Sequence, residues 1–345
     1  MLRKVDQGGY ASDLLLQRSA ELDSRDAGLA SEIVFGCLRY QAQLDYLVAR
    51  RVPRAPEPEV RIALRMGVYQ LRYLDRIPPH AAVGESVELV KRAHKAPAAG
   101  LVNAVLRKID RQPVPWPDRA TELSMPAWLL ERWDRQFGLE AANKIAAAFL
   151  QPAETHIAST GRIQDVGAQS IVPFLDLHPG QTFLDVCAAP GNKTAQAIQC
   201  GVRAIACDIH LHRLKQMRDL NCSLVVLDGT RPLPFRTKFD RILVDAPCSG
   251  TGTLGRNPEI KWRLQPSDLI DLHAKQIALV RHALKHLGPG GCLVYSTCSL
   301  EKEENEDVIR EIGGDWQTSQ RLPGLNPGDG FFVAVRNTSG DSDRG

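Results

Sequence analysis

Apolar residues recur every three or four positions through the first hundred residues of the chain. The clearest runs lie at 33–48, 60–71 and 102–109, where the apolar side chains fall on one face of a helix. Prolines at 53–58 and 78–79 interrupt the runs, and no stretch alternates apolar and polar residues as a half-buried strand does. The pattern predicts an all-α helical bundle over residues 1–112.

A proline-rich stretch at 112–117 follows the predicted bundle and is typical of a semi-rigid linker. Beyond it, Trp128, Leu129 and Trp133 have helical spacing, and an apolar run at 141–150 predicts a further helix. We therefore expect residues 113–165 to form a linker with helices.

From about residue 166 the pattern changes to short apolar runs that alternate with helical stretches. The predicted strands are 182–186, 203–207, 224–227, 241–244 and 291–295, with helices at 211–220 and 268–287. A last run, at 330–335, is predicted to pair as an antiparallel edge strand. Such alternation predicts an α/β domain with a mostly parallel sheet over 166–338, followed by a flexible tail at 339–345.

Overall composition adds little to this picture, but the distribution of charge does. The chain has 345 residues, 43% hydrophobic and 24% charged, as in ordinary globular proteins. Its net charge is +3, yet residues 1–112 carry +5 and the remainder −2. The basic region indicates contact with phosphate, although a solvated helical surface would have the same composition. The candidate phosphate ligands are Arg39, Arg65, Arg72 and Arg107.

Cysteine spacing and hydropathy bear on the compartment. The eight cysteines include no CxxC pair and no Cys/His cluster with zinc spacing, so we expect reduced thiols and no metal site. No long apolar run follows the first residues, so the sequence predicts no signal peptide and no membrane span. We expect a cytoplasmic monomer that does not bind membranes.

Small and acidic residues follow the predicted strands, at the edge where open α/β sheets bind ligands. The first strand leads into Cys187-Ala-Ala-Pro-Gly-Asn-Lys193, and Asp208, Asp228 and Asp245 end or follow the next three strands. Neither GxGxxG nor a P-loop motif is present. One such Asp can simply cap the next helix, but three together favour a bound nucleoside cofactor.

Two cysteines follow strands at the same edge. Cys248 lies in Asp245-Ala-Pro-Cys-Ser-Gly-Thr-Gly252 and Cys298 in Tyr295-Ser-Thr-Cys-Ser299. A lone cysteine is commonly a small buried hydrophobe. Two thiols beside a carboxylate instead indicate nucleophilic addition to, and elimination from, an electron-poor ring.

At this point the sequence resembles a known family. In the α/β region, four strings resemble the RNA 5-methylcytosine methyltransferases: Leu184-Asp-Val-Cys-Ala-Ala-Pro-Gly-Asn-Lys-Thr194, Asp245-Ala-Pro-Cys-Ser-Gly-Thr-Gly252, Arg256-Asn-Pro-Glu-Ile-Lys-Trp262 and Ser296-Thr-Cys-Ser-Leu300. In the helical region, four more are similar to the NusB-like RNA-binding domain of the ribosomal RNA small-subunit methyltransferase B family (RsmB, also called Sun): Val34-Phe-Gly-Cys-Leu-Arg39, Leu64-Arg-Met-Gly-Val-Tyr-Gln-Leu71, Arg76-Ile-Pro-Pro-His-Ala-Ala-Val83 and Val102-Asn-Ala-Val-Leu-Arg107.

The resemblance implies a NusB-like helical bundle followed by a Rossmann-like class I methyltransferase domain. It implies that the chain methylates carbon 5 of a cytosine in RNA, with small-subunit ribosomal RNA as the expected substrate. It further implies that Cys298 adds to carbon 6 and that Cys248 assists release. The implied cofactor is S-adenosylmethionine, bound by Cys187, Ala188, Ala189, Pro190, Gly191, Asn192 and Lys193, with Asp208, Asp228 and Asp245 as further contacts.

Specific roles follow for three of these residues. Asp208 is expected to accept hydrogen bonds from the ribose hydroxyls. Asp245, near N3 of the ring, would stabilise the adduct as charge develops there. Lys193 is a candidate for favouring the thiolate form of the nucleophile.

The sequence departs from the family pattern in three places. Asn192 stands where the family usually has a second glycine, and the connections around Gly201 and Asn221-Cys222 are short. The family normally has a small α/β RNA-binding subdomain before the catalytic core. Here residues 152–160 run almost directly into 163–169, so 113–165 is expected to be the remnant of a reduced subdomain.

Three alternatives stay open. The chain could be an RNA-binding protein of this family with lost or altered catalysis, or it could methylate a transfer RNA. A DNA cytosine methyltransferase would use Cys248 as its nucleophile and would not require Cys298.

Overall fold

The computed structural model describes residues 1–19 and 21–338, so the predicted tail at 339–345 lies outside the described residues. The chain divides into two compact units. The first holds Met1–Gln151 together with Gly255–Trp262, and the second holds Pro152–Leu254 and the described residues from Arg263 onward. A short stretch from the α/β half of the sequence therefore belongs to the first unit.

The first unit is helical, as the apolar periodicity predicts. Its helices are α1 (Leu2–Asp6), α2 (Ala11–Ser19), α3 (Ser24–Arg39), α4 (Gln41–Ala49), α5 (Pro58–Tyr73), α6 (Pro79–Arg92), α7 (Ala99–Leu106), α8 (Arg119–Glu122), α9 (Ala127–Phe137) and α10 (Leu139–Ala148). The prolines at 78–79 separate two helices, and Pro79 also begins α6, a helix that the sequence analysis missed. Proline is favoured at a first helical position because its missing N–H leaves no hydrogen bond unmade there.

The packing between α3 and α5 depends on one glycine. The Tyr69 ring lies so close to Gly36 that a Cβ added there would be 1.9 Å from the ring. The Tyr69 hydroxyl donates to Glu32 at 2.5 Å, and the ring stacks on Tyr73. No larger residue than glycine fits at position 36.

Residues 255–262 close the C-terminal end of α3. Lys261 Nζ donates to the carbonyl of Arg39 at 2.9 Å, and Trp262 Nε1 donates to the carbonyl of Leu38 at 2.7 Å. The last carbonyls of a helix have no partner within the helix. The segment therefore supplies donors that α3 itself lacks.

The second unit is built on one seven-stranded sheet. Its strands are β1 (Thr182–Asp185), β2 (Arg203–Asp208), β3 (Ser223–Val226), β4 (Phe239–Asp245), β5 (Leu287–Thr297), β6 (Gln317–Arg321) and β7 (Phe331–Asn337). Their order is β3-β2-β1-β4-β5-β7-β6. Neighbouring strands from β3 to β5 are parallel, and β7 is antiparallel to both β5 and β6. The α/β fold and the five parallel strands are confirmed.

The predicted edge position of the last strand was wrong. β7 lies between β5 and β6, and the edge is formed by β6, which the sequence analysis missed. β6 reads Gln-Thr-Ser-Gln-Arg and contains no apolar residue, so its sequence carries no strand-like pattern.

Helices and short 3₁₀ turns connect the strands of the second unit. They include α11 (Val166–Gln169), α12 (Asn192–Ile198), α13 (Leu211–Leu214), α14 (Ile260–Arg263, shared with the first unit), α15 (Pro266–Leu284) and α16 (Glu306–Ile312). The predicted helix at 211–220 is only one turn of α-helix followed by a 3₁₀ turn at 215–217. Nowhere in residues 1–19 and 21–338 does a helix combine the length and apolar character needed to cross a membrane.

The strand order reverses between β1 and β4. Chain connections run away from this point in opposite directions, which leaves a crevice at the carboxyl ends of the strands. The predicted site residues follow β1, β2, β3, β4 and β5, so the topology places them along this edge.

Candidate active site

The two predicted cysteines lie in direct contact at this edge. Cys248 Sγ and Cys298 Sγ are 3.3 Å apart, and both side chains are partly exposed. They come together because β4 and β5 are parallel neighbours that end in register at Asp245 and Ser296. The backbone N–H of Gly252 also donates to the Cys298 carbonyl at 2.9 Å, which joins the two loops after the strands.

The two thiols have different surroundings. The hydrogen bond with Cys298, together with burial, holds the pKa of Cys248 well above its usual value. Either sulfur can be the donor in the contact between Cys248 and Cys298.

Lys193 and Asp245 form an ion pair beside the thiols. Lys193 Nζ lies 2.6 Å from Asp245 Oδ2, and Ser296 Oγ donates to Asp245 Oδ1 at 2.7 Å. Burial opposes the charge on Lys193, but Asp245 outweighs it and raises the pKa of the ammonium group, with Cys298 acting in the same direction. The cation that the sequence analysis proposed for favouring a thiolate is thus electrostatically coupled to Cys298.

The loop after β1 turns sharply at Gly191. Its φ is +98°, and an added Cβ would lie 2.8 Å from Met217 Cγ, so both backbone conformation and space require glycine. The carbonyls on this loop are held from outside: Arg213 donates to Ala189 at 2.8 Å and Arg162 donates to Pro190 at 3.3 Å. The loop is rigidly placed at the crevice.

Asn192 has a structural use in this chain. Its Nδ2 donates to the backbone carbonyl of Ile163 at 3.1 Å, which ties the start of α12 to the segment that precedes the sheet. The extra side chain at this position is accommodated as a bridge between two segments.

The strand-end carboxylates differ in how far their oxygens are already engaged. Asp208 is 5% exposed, and its Oδ1 accepts the N–H of His210 at 2.8 Å. Asp228 Oδ1 accepts both the N–H and the hydroxyl of Thr230, at 3.0 and 2.6 Å. Both therefore order their own turns, as the capping interpretation expects. The second oxygen of each faces an arginine: Arg213 lies 3.8 Å from Asp208 Oδ2, and Arg231 lies 3.4 Å from Asp228 Oδ2.

Two residues of the site were missed by sequence reasoning. Asp185 ends β1 and is fully buried, with Thr194 Oγ1 donating to its Oδ2 at 2.7 Å. It carries the same strand-end signal as Asp208 and could have been found by that signal. Glu304 lies behind the thiols and contacts the loops of both cysteines. Its place there depends on the turn after β5, for which the sequence has no marker.

The four arginines, some of which were expected to contact phosphate, differ in burial and in their partners. Arg39 and Arg65 are buried, and Arg65 pairs with Asp45 through both carboxylate oxygens at 2.6 and 2.7 Å. Arg72 donates to the backbone carbonyls of residues 110 and 112. These three arginines stabilise the fold, and Arg107 is the exposed member of the set.

Metal ligation has no geometric support in the part of the chain that the structure describes. No group of three His, Cys, Asp or Glu side chains there is arranged to hold an ion. All eight cysteines are free thiols.

Comparison with protein families gives two matches that together span both units. Residues 172–320 match the family described as 16S rRNA methyltransferase RsmB/F. Residues 1–111 match the NusB family.

Curated relatives are similar over nearly the whole chain. A probable ribosomal RNA small subunit methyltransferase B from Bacillus subtilis is 32% identical, covering 93% of this chain and 90% of the relative. A ribosomal RNA small subunit methyltransferase B from Cronobacter sakazakii is 31% identical, covering 96% and 95%. The crystal structure of PH0851 superimposes with a TM-score of 0.74 and covers 91% of each chain; at 21% identity it supports the fold alone.

Proposed function

The chain belongs to the ribosomal RNA small subunit methyltransferase B family, and we propose that it methylates carbon 5 of a cytosine through a covalent adduct on Cys298. The observation that carries this proposal is the 3.3 Å contact between Cys298 Sγ and Cys248 Sγ. Two thiols at one strand edge can act on the same ring, one in addition and the other in elimination.

The methyl donor is S-adenosylmethionine, and the residues present fit it. The backbone of the Cys187–Gly191 loop approaches the crevice without bulky side chains, and carboxylates stand at the ends of neighbouring strands. Carboxylate oxygens are suitable acceptors for ribose hydroxyls. We assign the cofactor contacts to residues 187–193 with Asp208, Asp228 and Asp245; when bound, this cofactor supplies the electrophilic methyl group.

The chemistry assigned to the protein begins at carbon 6 of the cytosine. The Cys298 thiolate forms a bond to carbon 6, and the ring electrons move toward N3, which makes carbon 5 nucleophilic. Asp245, held by Lys193 and Ser296, lies at the end of β4 beside the thiols, where its ion pair with Lys193 can pass a proton to N3 as negative charge develops there. After carbon 5 has gained the methyl group, its proton passes to a base, a role that we assign to Cys248. The double bond between carbons 5 and 6 re-forms, Cys298 leaves carbon 6 as a thiolate, and N3 returns its proton.

The short connection before the sheet supports a reduced RNA-binding subdomain. The match to the Bacillus subtilis relative extends over 402 residues, more than the 345 residues of this chain, so the alignment contains gaps within this chain. Between residues 152 and 165 the structure has one isolated antiparallel bridge, between Ile157 and Ile163. We infer that 113–165 is the remnant of that subdomain and that RNA recognition depends more on the NusB-like bundle, which covers residues 1–112 in this assignment.

Replacing the two cysteines separately tests the mechanism. Cys298→Ala should abolish methyl transfer and form no covalent RNA adduct, because the nucleophile is gone. Cys248→Ala should add to cytosine and methylate it, then remain attached to the RNA. The measurement is a denaturing gel with labelled ribosomal RNA, in which the attached species migrates as a shifted band.

The matched control is Cys200→Ala, which removes an exposed free thiol elsewhere in the second unit. It should behave as the wild type. A shifted band from Cys298→Ala and none from Cys248→Ala would reverse the two roles. Parallel assays with transfer RNA and DNA identify the substrate, and absence of methyl transfer to all three would support the non-catalytic alternative.

A further inference from the structure

Glu304 is a buried carboxylate that joins the two cysteine loops. Its side chain is 0% exposed and accepts four hydrogen bonds. Ser249 contributes two of them, from its backbone N–H at 2.8 Å and its hydroxyl at 2.5 Å. Ser299 contributes the third, from its hydroxyl at 2.5 Å, and Gln276 the fourth at 3.0 Å. A carboxylate placed inside a protein is stable only when its oxygens are bonded in this way.

Three of the four hydrogen bonds to Glu304 come from residues that adjoin the two cysteines. Ser249 follows Cys248, and Ser299 follows Cys298 in the sequence. Gln276 also donates to the carbonyl of Pro247, the residue before Cys248, at 3.0 Å. The residue after each cysteine therefore bonds Glu304 directly. The residue before Cys248 bonds Gln276, which itself bonds Glu304.

Glu304 is itself fixed to the end of β5. The Tyr295 hydroxyl donates to the backbone carbonyl of Glu304 at 2.5 Å. The next residue, Asn305, accepts from the Thr297 hydroxyl at 2.5 Å and donates to the Ser299 carbonyl at 2.9 Å. These bonds hold Glu304 to the end of β5, the strand that leads into Cys298.

We propose that Glu304 is a positioning residue that sets the distance between the Cys248 and Cys298 thiols. This inference rests on the proposed function only for its effect on methyl transfer, and its geometric part stands alone. Both thiols must reach one pyrimidine ring, so a displacement of either loop by an ångström would misplace one step of the reaction. Misplacement on that scale costs roughly a hundredfold in rate.

Three variants test the effect on catalysis. Glu304→Ala should lower kcat by roughly a hundredfold and leave the Kd for S-adenosylmethionine within about threefold of the wild type. Glu304→Gln should restore kcat to within about tenfold, because an amide retains one acceptor and the serine hydroxyls can rotate to accept from the other arm. Glu311→Ala is the matched control, since Glu311 is a half-exposed glutamate that also bonds side chains of α15.

A second measurement reports the thiol distance without any methyl transfer. Hydrogen peroxide converts two adjacent thiols to a disulfide, taking one hydrogen from each and being reduced to two waters. Peptide mass mapping should show a Cys248–Cys298 disulfide in the wild type and in Glu311→Ala. In Glu304→Ala it should form at least about tenfold more slowly, because proximity sets the rate.

The outcomes separate the inference from the proposed function. Equal disulfide rates in wild type and Glu304→Ala would overturn the positioning role, as would an unchanged kcat. No disulfide in the wild type would contradict the contact itself. Parallel loss of cofactor binding in Glu304→Ala would show a general structural role instead. A wild type that transfers no methyl group, yet shows the difference in disulfide rate, would refute the proposed function alone.

Discussion

Asp185, Asp208 and Asp245 have identical side chains and end adjacent strands, yet each meets a different environment. Asp245 is paired with Lys193, whereas Asp208 bonds to the turn that follows it. Asp185 is 1% exposed, and its Oδ1 has no hydrogen-bond partner. Burial, helped by the charge of Asp245 and opposed by the bond from Thr194, raises the pKa of Asp185 to about 7. The environment of Asp185, not its residue type, sets this raised pKa.

The raised pKa of Asp185 predicts a loss of stability with rising pH. Between pH 4 and 7 the folded chain keeps the Asp185 proton and the unfolded chain releases it, so the free energy of unfolding falls as pH rises through this window. Asp185→Asn cannot titrate. Its stability relative to the wild type should therefore increase by up to about 4 kcal/mol between pH 4 and 8. Urea denaturation at several pH values measures this difference.

Asp240 gives a control of opposite sign. Hydrogen bonds from the backbone and side chain of Thr182 lower its pKa, so its stabilising contribution is present above the unfolded pKa and is lost in acid. Asp240→Asn should lose stability relative to the wild type as pH rises from 3 to 5. A pH-independent difference for Asp185→Asn would show that Asp185 titrates alike in both states.

Sequence could identify side chains at strand ends but not their partners. Cys248, Cys298 and Asp245 were predicted because each follows an apolar run, and parallel pairing of β4 and β5 then brings them together. Glu304 reaches the same place through a turn that folds back under the loops. That return depends on bonds such as the one from Tyr295, which no local pattern encodes.

At the scale of elements, the segment 156–164 is hydrogen-bonded to the loop 187–193, and we call this segment the strap. Arg162 bonds both oxygens of Asp219, at 2.8 and 3.1 Å, and also the Pro190 carbonyl. Farther along α12, Gln164 Nε2 donates to the side chain of Gln196 at 3.3 Å. These bonds hold the connection against the loop proposed to bind S-adenosylmethionine.

Cutting the strap should weaken cofactor binding. Arg162→Ala should raise the Kd for S-adenosylmethionine by roughly three- to tenfold, the worth of about one net hydrogen bond. Asn192→Gly, which removes the bond to Ile163, should act in the same direction. Isothermal titration calorimetry gives the Kd directly.

Two reference variants make that titration decisive. Asp208→Ala should raise the Kd at least about tenfold, since charge-assisted bonds are worth about 1.5–3 kcal/mol. Arg203→Ala, at the opposite end of β2, should have no effect on binding. If Asp208→Ala weakens binding and Arg162→Ala does not, the strap has no role. If neither does, the assigned cofactor site is wrong.

Elements with a strong apolar pattern were predictable, and polar ones were not. Four of the five parallel strands are mostly buried, and all five contain apolar runs, so their sequences reveal them. β6 was missed because it is polar and lies at the edge, and without β6 the sequence offered no reason to place β7 inside the sheet. Helix α13 is short because residues 215–217 continue as a 3₁₀ turn.

On the scale of the whole molecule, neither of the two compact units is a single continuous stretch of the sequence. The segment 255–262 brings buried polar groups into the helical unit, where the N–H of Ala11 donates to Glu259 Oε1 at 2.8 Å. Lys261 is 1% exposed, and burial, aided by the charge of Arg39, lowers its pKa to about 7. The Lys261 side chain thus donates to the end of α3 at a desolvation cost for its charged form.

That cost predicts a pH dependence for Lys261→Met. Between pH 7 and 10 the unfolded chain retains the Lys261 proton and the folded chain does not, so wild-type stability rises with pH across this window. The stability of Lys261→Met relative to the wild type should therefore fall by up to about 4 kcal/mol from pH 7 to 10. Denaturation curves at the two pH values give the difference.

Lys91→Met serves as the surface control. Lys91 is half exposed and pairs with Glu88 along one helix, an arrangement worth about 0.3–0.5 kcal/mol. The quantity compared is the change, from pH 7 to 10, in each variant's stability relative to the wild type. If this change is no larger for Lys261→Met than for Lys91→Met, the folded chain keeps the Lys261 charge solvated.

The return of residues 255–262 to α3 has a consequence for synthesis. The N-terminal bundle leaves the ribosome first, but Lys261 lies 222 positions after the carbonyl that it caps. At about 5–20 residues per second, roughly 10–45 s separate the two. During that interval the carbonyls of Leu38 and Arg39 lack the donors Trp262 and Lys261 and can accept hydrogen bonds only from water. The nascent bundle is therefore incomplete. Its final stability arrives with a piece of the chain made long afterwards, and a gene fragment that stops at the bundle would encode only that unfinished state.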